Sequence, residues 1–141
     1  EGKVQQLPVK QHRTKTTSRY FNYIYVRMGA HTLIHKRTED DIWKNLFELP
    51  LVETEKDLSE EEFLACPQFH ALFAEGEVRM VRILLRGVKH VLSHRVIYTN
   101  FYEVTLPDNS SSFSSYQRVA VEDLGRYAVP RLIHAFLEKY V

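Results

Sequence analysis

The sequence predicts an α+β domain, and three features carry this prediction. An aromatic and β-branched run at 20–26 indicates a buried strand near the start. Helix-start signals appear in the middle of the chain, at 59–67, and an amphipathic segment ends it at 131–140. Strands therefore stand on both sides of a helical segment, and a last helix follows them, which is the order of an α+β sandwich.

The first strand is predicted to open a hairpin. Gly29 punctuates the chain after it, and the segment 32–37 has the residue types of a second strand. The next segment, 41–50, fits neither the helical nor the strand period. We therefore expect a loop there, which packs Trp43 inward and leads into a short strand at 51–53.

Two short helices are predicted next. Ser59 with Glu62 three residues later forms a capping-box signal, which indicates a helix over 59–65. Pro67 suits the first turn of a second helix, which we expect over 67–74.

The second half of the chain is predicted to be mainly strand. Residues 77–86 alternate as a strand does, Gly87 is expected to turn the chain, and 88–104 is predicted as one long strand. The remaining elements are a mobile polar loop at 107–115, a strand at 116–121, a helical turn at 121–124 and a final helix at 131–140.

Composition favours one soluble domain. Of the 141 residues, 44% are hydrophobic, so a core needs no metal or disulfide support. The 19 basic and 18 acidic residues nearly cancel, which excludes a strong global field for polyanions. The one cysteine, Cys66, excludes an internal disulfide and a cysteine-ligated cluster. No apolar run has transmembrane length and no signal-peptide pattern is present, so we expect a cytoplasmic protein without membrane contact.

Basic residues are concentrated at the start of the chain. Five cations lie between Gly2 and Arg19, where the only nearby acid is Glu1. This stretch has no apolar period, so 1–19 is predicted to be a linker and 20–141 the folded domain. The linker is either a solvated tether or an arm that lies along phosphates.

Four segments resemble, in order, the C-terminal domain of the MutY family of adenine DNA glycosylases. They are Leu33–Arg37, Asp41–Pro50, His90–His94 and Val121–Pro130. The second is similar to the family pattern G-x-W-x-x-L-W-E-F-P, the third to H-x-F-S-H and the fourth to P-L-E-E-L-x-x-Y-A-L-P. The sequence departs from the family at Asp41, where glycine is common, and at Arg118, where an aromatic residue is usual.

The resemblance implies a Nudix-like α/β/α sandwich with a mixed β-sheet over 20–141. It also implies a monomeric module of bacterial base-excision repair, which recognises 8-oxoguanine mispaired with adenine in double-stranded DNA. In the family, adenine excision belongs to an N-terminal catalytic domain with an iron–sulfur cluster. That domain is expected elsewhere on the parent chain, so these residues are expected to be non-catalytic and to need no cofactor.

The implied fold raises an alternative function, that of a divergent Nudix nucleotide pyrophosphohydrolase. The Nudix box, G-x5-E-x7-R-E-U-x-E-E-x-G-U, places glutamates on one helical face to hold magnesium against a diphosphate. The segment 49–58 has no Arg-Glu before a Glu-Glu pair at that spacing. Glu60, Glu61 and Glu62 point in different directions around a helix, so we interpret them as a solvated helix start and expect no metal site.

Ser93 is the sharpest candidate for lesion recognition. Guanine presents N7 to the major groove as an acceptor, whereas 8-oxoguanine presents an N7–H donor and a C8 carbonyl. A hydroxyl that accepts and a backbone N–H that donates meet both needs in one serine. The resemblance implies that Ser93 takes this role while Leu92 and His94 shape the chain around it. If 91–95 is a regular strand, His94 points away from Ser93 and serves packing or a phosphate contact.

Several basic residues are candidate contacts to the DNA backbone, and solvated strand-end charges are the alternative interpretation. His90 and His94 would lie about 13 Å apart on one strand, too far for a shared zinc ion. A third hypothesis for the whole chain is a protein-interaction module whose basic arm at 2–19 binds a repair partner. The candidate backbone contacts are Arg95, Lys89, Arg86, Lys36, Arg37, Lys15 and Arg19.

Overall fold

The computed structural model describes residues 17–141. These residues form β1 (Thr17–Arg27), β2 (His31–Lys36), β3 (Phe47–Glu48), β4 (Leu51–Thr54), α1 (Glu60–Ala65), α2 (Pro67–His70), β5 (Met80–Leu92), β6 (Arg95–Thr105), β7 (Gln117–Ala120), a 3₁₀ helix (Val121–Arg126) and α3 (Arg131–Tyr140). The predicted linker ended at 19, whereas β1 already begins at Thr17. The rest of the predicted linker, including Lys15, lies outside the described residues.

Two β-sheets organise the domain. The central sheet has the order β4-β1-β6-β5, in which β1 and β6 are parallel and the two outer pairs are antiparallel. A smaller antiparallel sheet has the order β3-β2-β7. Every residue from Phe21 to Val26 is buried, as expected for a central strand covered on both sides. The prediction of an α+β fold with a mixed sheet is confirmed.

One side of the central sheet packs on α3 and on the smaller sheet. The amphipathic helix α3 turns Leu132, Ile133 and Phe136 towards the core. The Phe136 ring lies over Phe101 of β6 with centroids 4.2 Å apart and planes 5° apart. A stack of this kind adds to the free energy gained by burying two aromatic side chains.

The opposite side of the central sheet packs on α1 and α2. Phe63 of α1 stacks on Tyr102 at 4.6 Å between centroids. The predicted capping box is present, with Glu62 N donating to Ser59 Oγ at 3.1 Å and Ser59 N donating to Glu62 Oε1 at 2.9 Å. Helix α2 has only 4 residues, so the predicted extent to 74 was wrong. The longest helix among residues 17–141 has 10 residues. No helix in this part of the chain is long and apolar enough to cross a membrane.

The long strand predicted at 88–104 was wrong. The structure has two antiparallel strands there, β5 and β6, joined by a two-residue turn at Ser93–His94. Gly87 does not end a strand as predicted. It lies inside β5 at a register irregularity between Leu85 and Val88, with φ +67°. Glycine marks β-bulges as well as turns, because both need a backbone conformation that other residues rarely adopt.

The predicted hairpin between β1 and β2 is only partly formed. The two segments share a single bridge, between Met28 and His31, after which β2 leaves to pair with β3 and β7 in the smaller sheet. Both segments are strands as predicted. The sequence pattern identified the strands and not their partners, because pairing depends on contacts distant in the chain.

The serine-rich loop, which we predicted to be mobile, is fastened to the start of β5. The Glu77 carboxylate accepts hydrogen bonds from Ser110 Oγ at 2.5 Å, Ser112 Oγ at 2.7 Å and Ser111 N at 3.1 Å. Hydrogen bonds from Ser110, then from Ser112 and the Ser111 amide, lower the Glu77 pKa to about 2 from its ordinary 4.5. Since the carboxylate is favoured in the folded state, the anchoring is complete above about pH 4.5 and is lost as the pH falls towards 2.

Replacing Glu77 by glutamine is expected to loosen this loop, because a neutral amide oxygen accepts hydrogen bonds more weakly than a carboxylate. At neutral pH, amide hydrogen exchange at Ser111 should become about tenfold faster. Glu75→Gln, at an exposed glutamate outside the cluster, is the matched control. Equal exchange rates in the two variants would contradict the anchoring role.

Candidate nucleic-acid interface

The Ser93–His94 turn projects from one end of the central sheet. Leu92 and Arg95 close it as the last pair of the β5–β6 ladder. Ser93 and His94 are exposed, and neither has a positive φ. Within residues 17–141, the Ser93 hydroxyl and amide make no hydrogen bond, so both groups are open to a ligand.

The parallel strand β1 holds the turn in place. Thr17 N donates to the His94 carbonyl oxygen at 3.0 Å, and Thr17 pairs in register with Arg95. The turn is therefore attached to strands on both sides of β6. This attachment limits the movement of a short loop and prepares its polar groups for recognition.

The inner side of the turn rests on the core. Leu92 is half-buried and packs against the core cluster, together with Trp43 and Ile42. The Trp43 ring contacts the rings of His90 at 5.9 Å and Phe21 at 6.0 Å, both edge to face. The prediction that Trp43 packs inward is confirmed. Leu92 thus acts as an anchor for the turn, whereas Ser93 and His94 face solvent.

The loop that carries Trp43 has an unusual backbone. Trp43 and Asn45 have φ angles of 59° and 72°, in the left-handed region where residues other than glycine are uncommon. Arg37 fastens the loop, because its backbone N–H donates to the Leu46 carbonyl at 2.9 Å and its Nε donates to the Ile42 carbonyl at 3.0 Å. A strained conformation of this kind persists only when the surrounding contacts determine it.

A buried carboxylate lies at the inner end of this loop. The Glu48 side chain is 2% exposed, and both of its oxygens accept from Arg37 NH1 at 3.0 Å. Tyr23 OH also donates to Glu48 at 2.7 Å, and His35 Nε2 lies 2.9 Å from it. Burial, and then the negative charge of Glu48, raise the pKa of Tyr23 well above 10. Tyr23 therefore stays a neutral hydrogen-bond donor.

Asp41 continues this network to the turn. Its carboxylate accepts from Arg19 at 3.0 and 2.9 Å and from Arg37 at 3.1 Å, and it lies 3.6 Å from Arg95. Hydrogen bonding to Arg19 is the largest of the effects that lower the Asp41 pKa to about 2. Arg19 itself also binds Glu53 with two hydrogen bonds of 2.8 Å. Three arginines that are distant in the sequence thus meet at one carboxylate beside Ser93.

The predicted backbone contacts have different environments. Arg37 is 7% exposed and paired with Glu48, so it supports the structure and is not available to a phosphate. Arg19 is also paired, with Asp41 and Glu53. Arg95 and Arg86 are 45% and 41% exposed and have one carboxylate neighbour each among the described residues. Lys36 and Lys89 are exposed.

The acidic residues of α1 are arranged as a helix start. Glu62 is used in the capping box, and Glu60 and Glu61 lie in the same first turn. Among residues 17–141, no group of three or more histidine, cysteine, aspartate or glutamate side chains is placed to hold a metal ion. The largest cavity described, about 450 Å³, lies elsewhere, between Phe69 and Val78.

Sequence reasoning proposed Ser93 and its neighbours as the site, and it did not predict the cluster of arginines around Asp41. The sequence gives one signal for such a site, which is that Asp41 lies between the basic residues of 35–37 and Lys44. That signal is common on protein surfaces, and only the fold shows that Arg19 and Arg95 reach the same carboxylate.

Comparisons with solved structures show the same fold in several other proteins. The chain is similar to the C-terminal domain of mouse MUTYH, solved in complex with human PCNA, with a TM-score of 0.62, 15% identity and 86% of each chain covered. It is also similar to the MutT protein of Methanosarcina mazei Go1, with a TM-score of 0.56, 18% identity, and 88% of this chain and 93% of that chain covered. A MutT structure from a study of Aliivibrio salmonicida and Vibrio cholerae gives a TM-score of 0.58 and 15% identity, with 87% of this chain and 96% of that chain covered. At such identities these likenesses show the fold alone.

No curated protein sequence matched the chain significantly. A family model did match, and it spans nearly all of the described residues. It describes the NUDIX domain and aligns with residues 22–139, which include most of β1, all of β2 to β7, α1, α2 and nearly all of α3. The chain therefore belongs to the NUDIX domain family.

Proposed function

We propose that this domain is the DNA-lesion recognition module of an adenine DNA glycosylase, and that it reads 8-oxoguanine opposite adenine. The observation that carries the proposal is the exposed Ser93 at a two-residue turn, whose hydroxyl and amide make no hydrogen bond to residues 17–141. The hydroxyl oxygen accepts from the N7–H of the lesion, and the amide donates to its C8 oxygen. The fold, which the chain shares with the MUTYH C-terminal domain, is compatible with this role.

The surroundings of the turn suit contact with a duplex. A two-stranded β-ribbon has the width to enter the major groove. Arg95 closes the turn, Lys89 lies three residues before Leu92 on β5, and both side chains are exposed to solvent, where they could contact phosphates. Arg86 is further along β5 and retains Asp57 as a partner. Phosphate contacts would fix the register of the ribbon, and Ser93 would supply the discrimination between bases.

Replacing Ser93 by alanine is expected to lower the preference for an 8-oxoguanine:adenine duplex over a guanine:adenine duplex by about tenfold. The change removes the acceptor for N7–H and leaves the strands untouched. The dissociation constants of both duplexes, measured by fluorescence anisotropy, give the ratio. Ser18→Ala, at an exposed serine of β1, is the matched control. An unchanged ratio in Ser93→Ala would falsify the assignment.

A direct observation of the contact comes from an amide NMR titration with the same two duplexes. Shifts at Leu92, Ser93 and His94 that appear only with the lesion support the proposal. Identical shifts confined to the basic residues would indicate generic DNA contact and would contradict it.

Hydrolysis of nucleotides is the rival function, because MutT proteins share the fold. A fold is compatible with many activities, so the choice depends on the site. The capping role of Glu62 leaves that carboxylate engaged with Ser59. Magnesium-dependent release of pyrophosphate from 8-oxo-dGTP by this domain would favour the hydrolase over the recognition module.

A further inference from the structure

Asp41 is shared unequally by its three arginines. Arg19 binds it with two hydrogen bonds, at 3.0 and 2.9 Å, and also binds Glu53. Arg37 binds it at 3.1 Å and also binds Glu48. Arg95 approaches only to 3.6 Å, beyond hydrogen-bonding distance. Arg95 is therefore the most weakly held of the three.

The cluster remains satisfied without Arg95. Arg19 and Arg37 between them donate hydrogen bonds to all three carboxylates of the cluster, those of Asp41, Glu48 and Glu53. Asp41 would keep its hydrogen bonds to Arg19 and Arg37 if Arg95 moved away. Arg95 is also 45% exposed, whereas Arg19 and Arg37 are 20% and 7% exposed. Of the three arginines, Arg95 is the one that can exchange Asp41 for a phosphate.

We propose that Asp41 is a positioning residue that holds Arg95 beside the Ser93–His94 turn and yields it to a DNA phosphate only when the turn is seated on its base. This inference rests on the proposed function. While it is paired with Asp41, Arg95 can reach a phosphate in one register only, the register set when Ser93 binds the lesion base. On undamaged DNA Ser93 does not bind the base, so Arg95 stays paired with Asp41 and generic binding is weaker. Asp41 thereby increases lesion preference without touching the base.

The test is Asp41→Asn, which removes the charge while keeping the side-chain shape. The fold is expected to survive, because Arg19 keeps Glu53 and Arg37 keeps Glu48. Arg95 becomes free to bind any nearby phosphate. Affinity for the guanine:adenine duplex should therefore rise about threefold. The slope of the logarithm of the binding constant against the logarithm of the salt concentration should become steeper by about 0.9, the value for one added phosphate contact. For the 8-oxoguanine:adenine duplex the salt slope should not change, since Arg95 is already on a phosphate there.

Asp57→Asn is the matched control. It removes the carboxylate partner of Arg86, which is likewise exposed, and leaves the Asp41 cluster intact. The control should change the two duplexes equally. Equal changes for both duplexes in Asp41→Asn, or an unchanged slope for the guanine:adenine duplex, would overturn the inference. A purely structural defect would weaken binding to both duplexes and would also overturn it.

The Ser93→Ala variant separates failure of this inference from failure of the proposed function. Suppose that Ser93→Ala loses lesion preference and Asp41→Asn behaves like the control. The recognition role then stands and the role of Asp41 is rejected. If Ser93→Ala keeps full lesion preference, the recognition role itself is rejected, and the positioning role is rejected with it.

Discussion

Replacing Glu48 by alanine is expected to destabilise the domain by about 3–5 kcal/mol, the cost of leaving one member of a buried ion pair without its partner. Glu48 is 2% exposed and Arg37 is 7% exposed, so the Arg37 charge would be left without its main carboxylate partner and largely shielded from solvent. Tyr23 OH loses its acceptor as well. Urea denaturation, monitored by circular dichroism, gives the free energy of unfolding.

Glu53→Ala is the control for this prediction. Glu53 is 40% exposed, and its partner Arg19 keeps Asp41, so the expected loss is about 0–1 kcal/mol. If the two variants lost the same stability, the Glu48 pair would not have the importance that its burial implies. The Glu48 variant should also weaken lesion preference, because Arg37 fixes the loop that carries Asp41.

Replacing Phe136 by alanine is the second change with a large expected effect, a loss of about 3–5 kcal/mol. Phe136 is 2% exposed and fills the space between α3 and the central sheet. Its ring stacks on Phe101 and contacts Tyr25 edge to face at 6.1 Å. Removing it leaves a cavity that the rigid sheet cannot close. The melting temperature, measured by calorimetry, should fall by about 10–20 °C, at about 3–4 °C for each kcal/mol in a domain of this length.

Tyr140 provides the comparison within the same helix. Its ring also stacks on Phe136, at 5.3 Å, but it is 36% exposed at the end of α3. Tyr140→Ala should therefore cost less, because Tyr140 stays partly in water and its removal leaves no enclosed cavity. A cost equal to that of Phe136→Ala would mean that the end of α3 is as important as the core contact.

The helices were the easiest elements to predict from the sequence. The capping box at Ser59 and the amphipathic pattern at 131–140 gave the positions of α1 and α3 nearly to the residue. Both signals are local, since a cap joins residues three apart and a helix face repeats every three to four. The extent of α2 was overestimated, because no local signal marks its end at His70.

The β5–β6 hairpin was missed for a physical reason. Two-residue hairpin turns usually need positive φ angles, which glycine and asparagine signal in the sequence. Ser93 and His94 both have negative φ, so the turn could form from residues that look like strand. Gly87, the residue that did look like a turn, forms the irregularity inside β5.

The sequence by itself determined most of the strands and the positions of the helices, and these conclusions depend on residue type and on spacing over a few positions. The resemblance to the MutY family made Ser93 the candidate for lesion recognition, which remains a prediction. Only the tertiary structure decided that Ser93 lies at an exposed turn and that Arg37 is buried while Arg95 is accessible. The Asp41 cluster joins residues from 19 to 95, and the energies that select such contacts arise only when the strands pair and bury the charges together.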